Sequence, residues 1–322
     1  MPLPSPSGVL CCGNIVFDIL VNAVDTFAWG ATTWVDSIGQ SIGGNGANTT
    51  FTLARLGVPA GLIGPAGNDT AGERMIALLK DAGADISRIE RLEEQTATTV
   101  ALVRSDGARA FLHRPGVSSM AFENPASFDE VSDNYSHFHM ANVFALPKLR
   151  RTAVETLRNA LDRGMTTSLD TGWDAKGEWL NVAGPLLPHL DVLFVNEDEA
   201  RHLSGASEPE SAARFFLDRG TAAVVVKLGE RGCYAESADF SFHAPSFEVN
   251  AIDTTGAGDC FTAGFLASLH YGVGPEDAAR FANAVGALNV QSLGSVAGIQ
   301  SAGGERTFPS GDPVTTRRRP FL

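Results

Sequence analysis

Two short runs constrain this chain most, because they are apolar at every position: Val192-Leu193-Phe194-Val195 and Ala222-Ala223-Val224-Val225-Val226. A strand with one wet face alternates apolar and polar residues. A strand apolar throughout has to be covered on both faces, as in a parallel sheet held between helices. The surrounding chain supplies those helices: LRRTAVETLRNALDRG and SAARFFLDRG have helical apolar spacing, and HFHMANVFA and TTSLDTG read as further strands. DVLFVNEDEA is expected to run from strand into loop. Repeated βα units imply right-handed crossovers, and ligands of such sheets bind at the carboxyl ends of the strands. The expected class is α/β.

The first hundred residues have a second texture. GVLCCGNIVFDIL reads as a first core strand that runs out at Gly13-Asn14 and ends near Asp18. The glycine-rich stretch from Gly43 to Asn48 leads into a helix over TTFTLARLG, closed by Gly57. AGLIGPAGND follows as strand and loop, and ERMIALLKDAGAD as an amphipathic helix stopped at Gly83. Thr98–Ser105, Asp106-Gly107 and Ala108–His113 then form a hairpin pattern around an Asp-Gly turn. With a strand over Trp34–Ile42, the hairpin predicts a small β subdomain of two segments, approximately 25–42 and 96–118, inserted in one domain over 8–304. Residues 305–322 lack apolar periodicity and read as a loose tail.

Charge narrows the partners. The 322 residues carry 24 Lys+Arg against 37 Asp+Glu, a formal net charge of −13, which argues against nucleic acid and anionic membranes. No run approaches a membrane span and no signal peptide is read, so the expected location is cytoplasmic. The cysteines, Cys11, Cys12, Cys233 and Cys260, lack metal-ligand spacing, and adjacent Cys11 and Cys12 should face opposite sides of a strand. His137 and His139 share a strand face, but with no third ligand at suggestive spacing they read as core or pocket-edge residues rather than a zinc site.

The most chemical segment is Asp253-Thr254-Thr255-Gly256-Ala257-Gly258-Asp259, which opens the helical pattern CFTAGFLASLH. Unpaired N–H groups at a helix start, with small residues, make an anion site. Asp259 in that first turn would repel a resting phosphate. An acid beside an anion hole makes sense when it takes a proton from a hydroxyl that attacks the anion, which is phosphoryl transfer. The bland alternative is a glycine-rich turn with a helix-favouring acid.

At these residues the chain resembles the PfkB, or ribokinase-like, carbohydrate kinases. DTTGAGDCFTAGF is similar to their C-terminal signature, and GGNGANTTFTLARLG, about 200 residues earlier, to their N-terminal one. The resemblance implies a Rossmann-like three-layer domain with a central, mainly parallel sheet and a small inserted β-sheet lid. It implies Asp259 as catalytic base and Gly256, Ala257 and Gly258 as anion hole. Asp18, Gly43, Gly44, Asn45 and Asn48 match sugar-binding positions, although turn and cap roles are open to both asparagines. Asn196 and Glu199 resemble the family's Asn-x-x-Glu element, which organises water, Mg²⁺ and the phosphates of ATP. Lys227, Gly229 and Gly232 fall on the nucleotide-side loop, where Lys227 either touches a phosphate or caps its strand. Asn283 lies on the helix beside the adenine pocket. Asp253 and Thr255 match positions linked to a monovalent cation, which makes K⁺ a further expected ligand. Among the arginines of the hairpin, Arg114 is expected to face substrate. Asp170-Thr171-Gly172-Trp173-Asp174 departs from the Asp-x-Asn-x-Arg of many relatives, which leaves an arginine contact to phosphate unassigned.

The expected activity is therefore ATP-dependent phosphorylation of a primary hydroxyl of a small sugar or sugar acid such as fructose, ribose or 2-keto-3-deoxygluconate. A nucleoside kinase of the same fold and a non-catalytic sugar-binding regulator are the alternatives. A homodimer clasped through the lid is the expected assembly. No Walker A sequence is present, which argues against a P-loop mechanism.

Overall fold

The computed structural model describes residues 8–299 apart from 107, 130, 132 and 133; the expected tail at 305–322 lies outside the described residues. The chain opens with strands β1 (Gly8–Gly13), β2 (Val16–Asn22) and β3 (Ser37–Gly43), then helix α1 (Asn45–Arg55). There follow β4 (Ala60–Gly67), α2 (Thr70–Asp81), β5 (Ile89–Leu92), and the hairpin β6 (Ala97–Val103) and β7 (Arg109–Arg114). Next are β8 (Tyr135–Ala141), α3 (Leu149–Asp162), β9 (Thr166–Asp170), the short α4 (Leu180–Ala183) and β10 (Val192–Asn196). After them come α5 (Glu197–Ser204), α6 (Pro209–Leu217), β11 (Ala223–Lys227), β12 (Cys233–Ser237), β13 (Ser241–Ala244), α7 (Ala257–His270) and α8 (Pro275–Asn289).

Nine strands form the large sheet in the order β13-β12-β11-β10-β9-β8-β1-β4-β5. Only β12 runs against the others, since β11/β12 and β12/β13 are its antiparallel pairs. One face packs on α3, α5 and α6 through Leu10, Phe138, Leu157, Leu193 and Phe216. The other packs on α1, α2, α7 and α8 through Phe51, Met75, Phe194 and Phe265. Leu193 and Phe194 are adjacent and enter opposite cores, which is why the run Val192–Val195 has no polar position. Cys11 and Cys12 divide in the same way. Both thiols are pushed far above their ordinary range by burial, so they act as small core hydrophobes.

The small sheet has the order β3-β2-β6-β7. It corrects the expectation of one continuous strand ending near Asp18. The chain leaves the large sheet at Asn14-Ile15, and Asp18 sits in the middle of β2, opposite Ser41 and Thr99. The break comes from Asn14, whose carbonyl accepts from Ala47 N–H (3.1 Å) and whose Oδ1 accepts from Asn45 N–H (3.0 Å). Helix α1 therefore starts against the end of β1, where Gly13 and Gly46 meet without room for a Cβ on either. Lid strands thus begin at residue 16, whereas 25–36 contains none. The strand of DVLFVNEDEA runs directly into helix α5, capped by Asn196, with no loop between them.

Candidate active site

Residues of α1, β9, β11, α5 and α7 converge at the carboxyl end of the large sheet. Helix α7 starts after Gly256, whose φ of 72° favours glycine and whose Cβ would overlap the Ser295 carbonyl. Ala257 N–H turns back to Thr254 O (3.2 Å), and Cys260 N–H is the first to reach a carbonyl one turn earlier, Gly256 O. The N–H groups of Gly258 and Asp259 lie in the first turn, where no intrahelical acceptor exists. Of the residues expected to form an anion hole, Ala257 has its N–H turned back to Thr254, whereas Gly258 presents its N–H in the open first turn.

Asp259 is buried, and each carboxylate oxygen accepts one amide proton: Oδ1 from Asn45 Nδ2 and Oδ2 from Asn48 Nδ2, both at 2.8 Å. Both asparagines lie on α1, three residues apart, so one helix face presents both amides. Burial and the nearby Asp170 push the Asp259 carboxyl up to about 6, against the lowering effect of Asn48, Asn45 and Lys227. Asn48 Oδ1, on the same amide that holds Asp259, is a buried acceptor with no partner among the described residues.

Lys227 ends β11 beneath this centre. Its Nζ is 2.5 Å from Asp170 Oδ2, and Thr262 Oγ1 donates to the same oxygen at 2.9 Å. A Cβ on Gly258 would come within 3.3 Å of that Nζ, so the ammonium lies against the start of α7. Burial alone would lower the lysine, but Asp170 and Glu199 outweigh it and hold it above its ordinary range. Glu199 is buried and closes the capping box of α5: its Oε2 accepts from Asn196 N–H (2.8 Å) while Asn196 Oδ1 accepts from Glu199 N–H. Burial pushes Glu199 up, against the pull of Lys227. A buried carboxylate and an amide at a strand end fit the water shell of Mg²⁺, which needs few direct carboxylates.

On the lid side, Asp18 accepts from Ser295 Oγ (3.1 Å), and burial raises it to about 6. A Cβ on Gly43 would overlap that carboxylate, and Gly44 has φ 90° at the entry to α1. Asp253 Oδ1 accepts from Thr255 N–H and pairs with Arg109 Nη1, both at 2.8 Å, and its Oδ2 accepts from Gly294 N–H at 2.9 Å. Arg109 Nη1 also donates to Thr255 Oγ1 (2.9 Å). With the lid in this position the residues expected to attract K⁺ do not fit it: a guanidinium already neutralises the carboxylate.

Arg114 is not brought to this cluster; it is exposed and pairs with Glu94 and Gln95. Arg109 is the lid arginine that reaches the centre, because alternation puts it on the same face of β7 as His113, opposite Thr99. Gly229 and Gly232 turn the β11/β12 hairpin; a side chain at Gly229 would meet open space, while one at Gly232 would overlap the Ala244 carbonyl. Asn283 is buried, its amide donating to Ala244 O (3.0 Å) and Pro245 O (3.1 Å), which ties α8 to the end of β13. His137 and His139 bond Thr166 and Ser168, and desolvation holds both down near 3, so both are neutral, His139 in the core and His137 partly buried at its edge. Trp173 packs edge-on against Trp179 and His202 and is half exposed. Sequence alone left Arg109, Asn142 and Thr262 without a role: Arg109 is placed by its parity on the hairpin, Thr262 lies within the C-terminal signature with no function read for it, and Asn142 lies in no motif.

The pfkB family carbohydrate kinase profile matches residues 8–302. The chain belongs to this family. The kinase is 34% identical over 308 residues to the ATP-dependent ribose-1-phosphate kinase of Halopiger xanaduensis, covering 95% of this chain and 96% of that protein. It superposes on the ribokinase of Arabidopsis thaliana complexed with ribose and ATP at TM-score 0.81, with 25% identity over 92% of this chain and 96% of that one. A putative ribokinase II of E. coli in complex with ATP and Mg²⁺ gives 0.75, with 29% identity over 91% and 96%. The kinase is thus a carbohydrate kinase with the ribokinase fold, and ATP and Mg²⁺ are its family's nucleotide and ion. Among the described residues, no helix is long and apolar enough to cross a membrane.

Proposed function

We propose that the kinase transfers the γ-phosphoryl group of ATP to a primary hydroxyl of a small sugar or sugar acid of the fructose, ribose or 2-keto-3-deoxygluconate kind, with Asp259 as base. One observation carries this: a buried carboxylate, held by two amides, beside the open N–H groups of a helix start. Asp18, Asn45 and Asn48 take the sugar hydroxyls, and Gly43 and Gly44 leave them room. The unpartnered Asn48 Oδ1 suits a hydroxyl donor in particular. As the sugar oxygen bonds to phosphorus, its proton passes to an Asp259 carboxylate oxygen. The bond from phosphorus to the bridging oxygen breaks, and ADP leaves with that electron pair. The N–H groups of Gly258 and Asp259 and the Lys227 ammonium stabilise the charge on the transferring group. Asn196 and Glu199 would hold Mg²⁺ through its water shell, and the ion would neutralise phosphate charge there. Gly229 and Gly232 shape the nucleotide side, and Asn283 braces its wall.

The test is coupled ADP release with Mg²⁺-ATP against ribose, fructose, 2-keto-3-deoxygluconate, ribose 1-phosphate and nucleosides. One strong sugar hit is expected. A hit confined to nucleosides would replace the sugar reading, and silence together with thermal stabilisation by a sugar would leave a binding protein.

Arg109 takes the place of K⁺ at Asp253 and Thr255. Turnover is expected to change less than about two-fold when K⁺ replaces Na⁺, whereas Arg109→Ala is expected to lose activity about 10-fold and regain part of it with K⁺, the cost of an unpaired buried carboxylate. Melting temperature is the second readout, since K⁺ should stabilise only the variant. A wild type that needs K⁺ overturns this.

The lid face away from the site exposes Ile38 and Leu112, and Trp29 and Trp34 are exposed on the loop before β3. A second copy of the chain is the proposed cover, in the cytoplasm. Sedimentation should show a dimer that Ile38→Glu with Leu112→Glu dissociates; a monomeric wild type refutes the clasp.

A further inference from the structure

Asn142 follows β8 in a left-handed conformation, φ 65° and ψ 80°, which asparagine tolerates better than other side chains. Its Oδ1 accepts from two backbone groups of the next turn, Phe144 N–H at 3.1 Å and Ala145 N–H at 3.0 Å. Both are donors that cannot rotate, so the oxygen end of this amide has one orientation. Its nitrogen end therefore points the other way, where Nδ2 donates to Asn45 Oδ1 at 2.8 Å. That bond in turn fixes the second amide, leaving Asn45 Nδ2 facing Asp259 Oδ1 at 2.8 Å.

We infer that Asn142 is a positioning residue: the Phe144 and Ala145 N–H groups set the polarity of a relay through the Asn142 and Asn45 amides that presents a donor, never an acceptor, to Asp259. An asparagine amide is nearly symmetric in shape, so Asn45 alone could turn either end to the carboxylate. With oxygen facing it, the Asp259 carboxylate would lose one of its two recorded donors and meet a second acceptor. The surroundings hold the relay in place. Asn142 N–H donates to Asp170 O at 2.7 Å, and the Arg150 guanidinium grips Phe144 O from Nη2 at 2.9 Å. Arg150 is in turn locked by Asp174 at 2.7 Å. A side chain at Gly172 would overlap the Asn142 amide, so that position has to stay bare.

This rests on Asp259 being the base, but its test has a part that does not. Asn142→Asp keeps the acceptor for Phe144 and Ala145 and replaces the donor by an acceptor, which forces Asn45 to turn over. The Asp259 carboxyl, followed by ¹³C NMR titration without substrates, should then titrate about one to two pH units higher, the loss of one hydrogen bond to a charged group. The acid limb of kcat/KM should move with it, lowering the rate about 10-fold or more at pH 6 while the alkaline plateau is largely regained. The added charge at 142 also acts at a distance, so the same change is made in an Asn45→Ala background. There the relay is absent, and the further shift should be clearly smaller. Equal shifts in both backgrounds, or a loss of melting temperature without movement of the titration, overturn the relay. Asn142→Gly, which tolerates the same φ, supplies a second variant should the first fold poorly. A moved Asp259 titration in an enzyme silent toward every sugar would keep the relay and sink the kinase mechanism instead.

Discussion

Asp259→Asn should lower kcat by about 10²–10⁴ while sugar affinity stays within a few-fold of wild type. The replacement keeps shape and removes the carboxylate in the first turn of α7. Its new amide nitrogen meets a donor from Asn45 or Asn48, and a turn of the Asn48 amide relieves this, since Asn48 Oδ1 has no partner to lose among the described residues. In the wild type the same group sets the pH dependence. A base has to be ionised to act, and with the Asp259 carboxyl raised to about 6 by burial and Asp170, kcat/KM should fall tenfold per unit below that pH. Stability moves the other way for this group. A carboxyl whose folded value lies above its unfolded one binds its proton more tightly in the folded state, so acidification from about 6 toward 4 favours the fold. Activity lost at pH 5.5 should therefore be recovered on returning to pH 7.5, and Asp259→Asn should melt no lower than wild type. Steady-state kinetics with calorimetric sugar binding decides it; turnover that survives the change removes Asp259 from the base role.

What was legible in the sequence follows the range over which each cause acts. The anion site at the start of α7 is local, because glycines, helix start and acid are contiguous from Gly256 to Asp259. The sheet was legible because burial on both faces writes itself into runs such as Val192–Val195. The break between β1 and β2 was not: Ile15 and Val16 continue the apolar pattern, and the turn is made by Asn14 bonding to residues of α1 about thirty positions away. Arg114 and Arg109 look alike in sequence; register against β6 and the reach to Asp253 separate them. The acids after Asn196 allow a helix start to be read there, but the reciprocal cap between Asn196 and Glu199 that fixes α5 shows only in three dimensions. Asn142 carries no motif at all, since its role depends on which end of an amide faces which neighbour.

Lys227→Met should cost the fold about 3–5 kcal/mol and abolish measurable turnover. The two effects have separable causes. Lys227 and Asp170 are both largely buried, at 13% and 6% side-chain exposure, so this pair lacks the solvent screening that makes surface ion pairs nearly neutral. Removing the ammonium leaves Asp170, Glu199 and Asp259 as buried acids with no cation among them. At about 2–3 °C per kcal/mol for a large domain, the melting temperature should drop by roughly 10 °C at pH 7.5. Glu199 and Asp259, both raised by burial, can take up protons, so the deficit should shrink as the pH falls toward 5. Adding Asp170→Asn should restore part of the stability, because the worst unpaired charge is then gone. It should not restore turnover, since the ammonium beside Gly258 is still missing. A melting temperature unchanged within 2 °C would show that water reaches the pair; turnover regained by the double variant would show that Lys227 acts only by holding Asp170.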